Sequence, residues 1–319
     1  MRISIVSPVP FADRLGNATT ARRWRDLLRG LGHDVDEALD WDGEPCDLLL
    51  ALHARKSHGA IARFAAARPR RPLVVALTGT DLYVDLPDDP QALESLRLAD
   101  RLVVLQPAGL DALPPQHRAK ARVILQSAVA PERVPRKDPD GFVACVLAAL
   151  REVKDPLLPA RAAALLPGAS RVRVRHAGKP VEPALLAAAE REAEANDRYE
   201  WLGELEPERA RELLATSHVL CLPSRAEGGA NVISEAVVAD VPVLASRIPG
   251  TVGLLGPEHP GYPPVGDAEA LAALLARAEC DPGFVEALLA SGARLRAALA
   301  PERERGSWAD LLAEIRAEP

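Results

Sequence analysis

Nowhere in the 319 residues does an uninterrupted apolar run approach the ~18 positions that a membrane span needs, so a spanning helix is not expected. Basic residues form no tail or stripe. With a formal charge of -6 and a pI near 5.7, the chain is a poor match to a nucleic-acid partner, whose phosphates call for clustered Lys and Arg. The four cysteines, Cys46, Cys145, Cys221 and Cys280, stand too far apart for a zinc pair or a dense disulfide framework and read as small buried hydrophobes. Lysine is scarce beside arginine, a bias from which no function follows. No G-x-G-x-x-G lies between strand and helix in either half, which disfavours a nicotinamide oxidoreductase. The sequence opens directly on an apolar, strand-like stretch with no targeting leader, and the expected location is cytoplasmic.

What is present is a repeated alternation. Short runs rich in Ile, Val and Leu alternate with amphipathic segments, the pattern of buried parallel strands connected by helices, and the fold class is α/β. Strands are expected at 3–7, 47–52, 73–77, 102–105 and 123–125, with helices near 19–28, 59–67 and 91–98. Residues 130–141 carry three prolines and mixed charge without periodicity and read as a linker. Alternation then resumes with strands at 142–147, 172–176, 199–202, 219–222 and 241–245 and helices at 183–195, 207–215 and 232–239. Further helices follow at 268–278, 283–299 and 308–316. Length and a 48% hydrophobic content fit two domains at the usual ~100–200 residues each. The divisions expected are 1–135, 136–300 and a final helix, 301–319, crossing back to the first domain. Two such arrays are two Rossmann-like domains facing a cleft, with ligands beyond the strand ends.

The most informative stretch runs Leu222-Pro-Ser-Arg-Ala-Glu-Gly-Gly-Ala-Asn-Val-Ile-Ser-Glu-Ala, continuing to Ser246 as strand end, loop, helix, turn and strand. Gly228 and Gly229 let backbone come close to a ligand, and the free amides opening the helix at Asn231 suit a diphosphate or sugar oxygen. Glu227 falls at the helix mouth and Glu235 about two turns along, a rise near ~12 Å if every step were helical. A second element, Leu150-Arg-Glu-Val-Lys-Asp-Pro156, places Arg151 and Lys154 three apart, so that one helical turn presents both cations on one face.

The frame P-S-x-x-E-G…E-A…P-V-x-A-S, with its E-x7-E pair, resembles glycosyltransferase family 4, enzymes of the GT-B fold. The resemblance implies that Glu227 contacts the donor sugar and Glu235 the ribose. Gly228, Gly229, Ala230, Asn231 and Val232 would lie near sugar and phosphate, with Ser224 and Arg225 of the same frame among the donor residues. It implies that Arg151 and Lys154 neutralise the departing diphosphate, whose developing charge fixed cations stabilise. Tyr199-Glu-Trp-Leu-Gly203 is similar to the family's base-contacting segment, which gives Leu202 a backbone contact to uracil. Catalytic roles thus fall to Glu227, Arg151 and Lys154. No metal or other cofactor is implied. The D-x-D triplets at Asp34 and Asp36, Asp40 and Asp42, and Asp138 and Asp140 are discounted because they sit in turn-like or linker stretches.

The acceptor is expected in the first half. Gly16 and Asn17 lie in a loop at a helix start, with Arg14 nearby; His53, Arg55 and Lys56 follow one strand, and Thr78, Gly79, Thr80 and Asp81 follow another. Each alone also reads as an ordinary solvated loop residue. Together, the segments at 16–24, 77–83 and 150–156 look like the selenosugar synthases within family 4. That resemblance implies attack by selenophosphate on the anomeric carbon of UDP-N-acetylglucosamine or UDP-glucose, with Arg14, His53, Arg55 and Lys56 countering the acceptor's charge in a basic cleft. The alternative is an ordinary O-glycosyltransferase acting on a sugar, lipid or small metabolite; an epimerase or a non-catalytic binder fits less well. No residue pattern specifies an oligomeric state, and the anomeric outcome, retention by family resemblance, is left open by the unusual acceptor.

Overall fold

The structure, a computed structural model, describes residues 1–13, 15–86, 88–132 and 136–317. It divides into two compact units, the first comprising Met1–Ser127, Glu227–Gly229 and Ala300–Pro319, the second Ala128–Ala226 and Ala230–Leu299. Arg14 and residues 133–135, the latter within the proline-bearing segment, lie outside the described residues.

The first unit holds strands β1 (Arg2–Val6), β2 (Asp34–Ala38), β3 (Leu48–Leu52), β4 (Leu73–Leu77), β5 (Arg101–Val104) and β6 (Ala121–Val123). They are all parallel, in the order β2-β1-β3-β4-β5-β6. Every residue of the apolar runs β3 and β4 is buried, as expected where helices cover both faces of a parallel sheet. At the edge, β2 reads Asp-Val-Asp-Glu-Ala with Val35 alone fully buried, and Arg2 bonds Asp36 at 2.7 Å. Asp34 and Asp36 therefore belong to an edge strand, not to the turn expected from their charge; charged residues are common where a sheet must not recruit a further strand. β6 begins two residues before the stretch read as a strand, and Gly16 and Asn17 form the first helical turn of Gly16–Gly30 rather than a loop.

The second unit holds β7 (Phe142–Leu147), β8 (Val172–Ala177), β9 (Tyr199–Trp201), β10 (Val219–Leu222) and β11 (Val243–Ala245), parallel and ordered β11-β10-β7-β8-β9. The chain builds outward from β7 to β9 and then returns to the other side of β7 to lay down β10. That reversal makes the gap beyond the carboxyl ends of β7 and β10 a topological switch point, where open α/β sheets bind ligands. In the first unit the equivalent reversal falls between β1 and β3.

The final helix, Pro301–Ala317, is part of the first unit. Trp308 and Trp24, both fully buried, meet edge to face with centroids 4.8 Å apart. Glu304, 1% exposed, accepts hydrogen bonds from Trp24 Nε1 at 2.9 Å, Ser127 N–H at 2.8 Å and Ser127 Oγ at 2.6 Å. A carboxylate buried this way is worth keeping only while its lone pairs are filled, and its donors depend on it equally. Glu304→Ala is expected to destabilise the chain by about 2 kcal/mol, read as a lower urea midpoint by tryptophan fluorescence. A shift equivalent to less than about 0.5 kcal/mol would show the contacts to be dispensable.

Candidate functional site

At the carboxyl end of β7 the chain turns through Arg151, in extended conformation, into the short helical turn Glu152–Lys154. Arg151 thus precedes the turn instead of sharing a regular α-helical face with Lys154. The turn ends at Asp155, whose backbone is left-handed (φ 41°), a conformation that Asp tolerates better than most residues. Buried Asp155 spreads its carboxylate between Arg161 at 3.0 Å and Arg225 at 3.1 Å.

Arg225 lies in the loop after β10. Besides that ion pair, its backbone N–H donates to Val153 O at 2.8 Å. The two motifs singled out in the sequence, Arg151 with Lys154 and the stretch holding Ser224 and Arg225, are therefore fastened together across adjacent strands at the second unit's switch point. Asp155 is the residue that sequence reasoning missed. Its only signal was its place directly after Lys154, and its role depends on a side chain 70 residues away.

Ala230 precedes the helix Asn231–Val238 and offers no side-chain oxygen to its first turn. The first amides of a helix have no partner within it, so those of Asn231 and Val232 carry the partial positive charge of the helix end. Glu235, half-buried, is the fifth helical residue. Only the steps from Asn231 onward are helical, a rise of about 6 Å, so Glu235 sits little more than one turn in, half the rise expected from the spacing. Leu202 follows β9, and its N–H donates to His176 O at 2.8 Å.

Glu227 is buried, and the triplet Glu227–Gly229 belongs to the first unit. A Cβ on Gly228 would come within 2.5 Å of the Thr78 carbonyl carbon and 2.6 Å of Gly79 N, and one on Gly229 would run into the Leu105 side chain. Glycine is required here by close approach of the protein's own chain.

Elsewhere in the first unit, the loops after β3 and β4 come together. Asp81, fully buried, accepts from the N–H groups of Ala54 (2.9 Å), Gly79 (2.8 Å) and Thr78 (3.3 Å), then opens a wide turn, Asp81–Asp85, closed by Leu86 N–H on Asp81 O at 3.1 Å. It organises the two loops. His53, left-handed at φ 73° and 2% exposed, lies 3.0 Å from Thr80 Oγ1, and desolvation lowers its pKa against the opposing pull of Asp81. Arg55 pairs with Asp89 at 2.8 Å and stands 3.8 Å from Asp85. Lys56 is exposed. The cluster brought together here has much of its charge matched internally, in contrast to the basic lining expected from sequence. Gly16 and Asn17 stand on a separate element, the helix after β1.

Among the described residues, no group of three or more His, Cys, Asp or Glu is placed to hold a metal ion, and no helix is long and apolar enough to cross a membrane.

The family described as "Glycosyl transferases group 1" matches residues 131–294. No curated protein matches the sequence significantly. Among solved structures, the chain is similar to a sucrose-phosphate synthase from Thermosynechococcus elongatus, at 16% identity and a TM-score of 0.80 over 100% of both chains. It is similar also to Anabaena HepE in complex with UDP-glucose, at 19% identity and a TM-score of 0.75, covering 98% of this chain and 100% of that one. A glycosyltransferase from Rickettsia africae gives 14% identity and a TM-score of 0.72 over 100% of this chain and 99% of that one.

Proposed function

The chain belongs to the group 1 glycosyltransferases and has the GT-B fold, and from that premise we propose that it carries a sugar from a UDP-sugar to a small acceptor. The observation that carries the reading is the fastening of the Arg151–Lys154 turn to the loop of Ser224 and Arg225 at the switch point of the second sheet. A pyrophosphate bound there faces two cations and the amides that open the helix at Asn231 and Val232. As the bond from the anomeric carbon to the diphosphate oxygen breaks, its electron pair stays on that oxygen, and Arg151 and Lys154 stabilise the added charge. Glu235 accepts from the ribose hydroxyls, Glu227 from hydroxyls of the sugar, and the Leu202 carbonyl faces the base. The likeness to HepE, whose structure holds UDP-glucose, supports a uridine nucleotide as the carrier. In this reading the cations supply the charge that a metal would otherwise bring, and no metal is needed.

For the acceptor, the segments at 16–24, 77–83 and 150–156 support selenophosphate. Its selenium, soft and already anionic, attacks the anomeric carbon of UDP-N-acetylglucosamine or UDP-glucose as UDP leaves; water then cleaves the selenium–phosphorus bond, releasing selenosugar and phosphate. Little help from a general base is required. A second reading, transfer to a hydroxyl-bearing acceptor, is favoured by the pairing of Arg55 with Asp89 and by the burial of His53, since a neutral acceptor makes no demand for unmatched cations.

Mass spectrometry on mixtures of either UDP-sugar with selenophosphate separates the two. The expected result is one equivalent each of UDP and phosphate for every selenosugar formed. UDP release that ignores selenophosphate but follows an added sugar or alcohol would replace the first reading by the second; no UDP release with any acceptor would remove both.

A further inference from the structure

This inference rests on the donor reading above and concerns what holds its cationic turn in place. His176, near the end of β8, is fully buried. Its Nε2 lies 2.9 Å from the carbonyl oxygen of Ala148, and its Nδ1 lies 2.8 Å from the hydroxyl of Tyr199. A carbonyl can only accept, so Nε2 carries the proton; Nδ1 is then bare and accepts from the tyrosine hydroxyl. Desolvation pushes the imidazole pKa down to about 4, which keeps the ring neutral and this tautomer in place at ordinary pH. Trp201 and the imidazole pack in a T-shaped arrangement with centroids 4.5 Å apart.

Ala148 is the first residue beyond β7, just ahead of Leu150 and Arg151. Its N–H donates to Ala177 O at 3.0 Å, and Leu150 is held on both sides, its N–H donating to Lys179 O at 2.9 Å and its carbonyl accepting from Glu182 N–H at 3.1 Å. Gly178 lies so close to the Ala148 carbonyl that a Cβ there would overlap it. The imidazole is a side-chain strut in this arrangement, linking β9 through Tyr199 and β8 through its own backbone to the foot of the turn bearing Arg151 and Lys154, while the Glu182 carboxylate accepts from Glu152 N–H at 3.2 Å within the turn itself.

We infer that His176 is a positioning residue for diphosphate recognition, fixing the Ala148 carbonyl and through it the placement of Arg151 and Lys154, without touching the donor itself. An apolar side chain of similar size would leave the Ala148 carbonyl and the Tyr199 hydroxyl buried with a bond unmade, and the strand end would shift to recover them. Cations displaced by a fraction of an ångström lose much of their hold on a pyrophosphate but none on a nucleoside.

The test compares UDP with uridine, by calorimetry and ligand-observed NMR, on the full chain carrying His176→Leu, His176→Gln or Tyr199→Phe. His176→Leu is expected to weaken UDP about tenfold, the equivalent of one unmade buried hydrogen bond, while uridine stays within about twofold. His176→Gln, whose amide N–H reaches the level of Nε2, is expected to recover most of the loss, and Tyr199→Phe to weaken UDP about threefold. Should His176→Leu fail to fold, the Gln and Phe variants carry the comparison with uridine as the internal standard. UDP and uridine weakening in parallel would show the ring acting on the base-contacting segment of Leu202, whose N–H donates to His176 O, and not on the cations; that result, or an unchanged UDP affinity, would overturn the proposal. A wild-type chain that binds uridine no more weakly than UDP would instead sink the donor reading, and this inference with it.

Discussion

Replacing Lys154 by alanine is expected to lower kcat/KM for sugar transfer several hundredfold, about 3–4 kcal/mol of transition-state stabilisation, while leaving the fold intact. The size follows from where charge appears. A diphosphate gains negative charge only as the glycosidic bond breaks, so a fixed cation beside it contributes more to the transition state than to the bound donor. The fold should survive because the turn is held by main-chain and Asp155 contacts: Lys154 N–H donates to Arg151 O at 2.9 Å, Asp155 N–H to Glu152 O at 3.0 Å, and Arg225 N–H to Val153 O at 2.8 Å. None of these uses the lysine side chain. Lys154→Arg should recover only part of the rate, since a planar guanidinium does not place its charge where a compact ammonium does. Steady-state kinetics with a UDP-sugar, alongside a thermal melt, provide the check. A loss of less than about threefold would reduce Lys154 to a surface cation of the kind whose interactions rarely exceed ~1 kcal/mol.

How far the molecule could be read from its sequence depended on whether each feature was local. β3 and β4 were legible because both faces are buried and the apolar run is unbroken. β2 was not: at a sheet edge only Val35 needs to be fully buried, and the acidic residues on either side look like a turn. The helix Leu158–Ala164 was missed because Leu-Pro-Ala-Arg-Ala-Ala-Ala is short and lacks a polar face to mark its period. In the site, the E-x7-E frame and the Arg151–Lys154 pair were visible as strings, because each lies in one loop beside one strand. Their fastening was not, since it depends on a left-handed Asp155 and a backbone amide 70 and more residues on. The spacing of Glu227 and Glu235 gives two turns only if every step between them is helical; with Glu227 in the loop and the helix opening at Asn231, four helical steps remain. His176 gave no sign, a lone histidine in a strand whose less buried positions are arginines, with its two ring partners in different segments.

The two glutamates should separate kinetically. Glu227→Ala is expected to cut kcat about a hundredfold, because the resemblance sets it against the transferring sugar, whose hydroxyls must be held as the anomeric carbon gains positive character. Glu235, on the helix a little over one turn from Asn231, is set by the same resemblance against the ribose, which does not change during the reaction. Contacts to an unchanging part of the donor stabilise ground and transition states alike, so Glu235→Ala should raise the donor KM about tenfold and leave kcat within about threefold. Glutamine at either position keeps one accepting oxygen of the side chain and should be milder than alanine. Glu235→Ala affects the Asn231–Val238 helix little, since that helix is anchored by Ile233, Ala236 and Val237 in the core. Kinetics at saturating acceptor with the donor varied would give the split directly. If Glu235→Ala reduced kcat as much as Glu227→Ala with KM unchanged, the assignment of the two acids to ribose and sugar would fall, whatever became of the cationic turn.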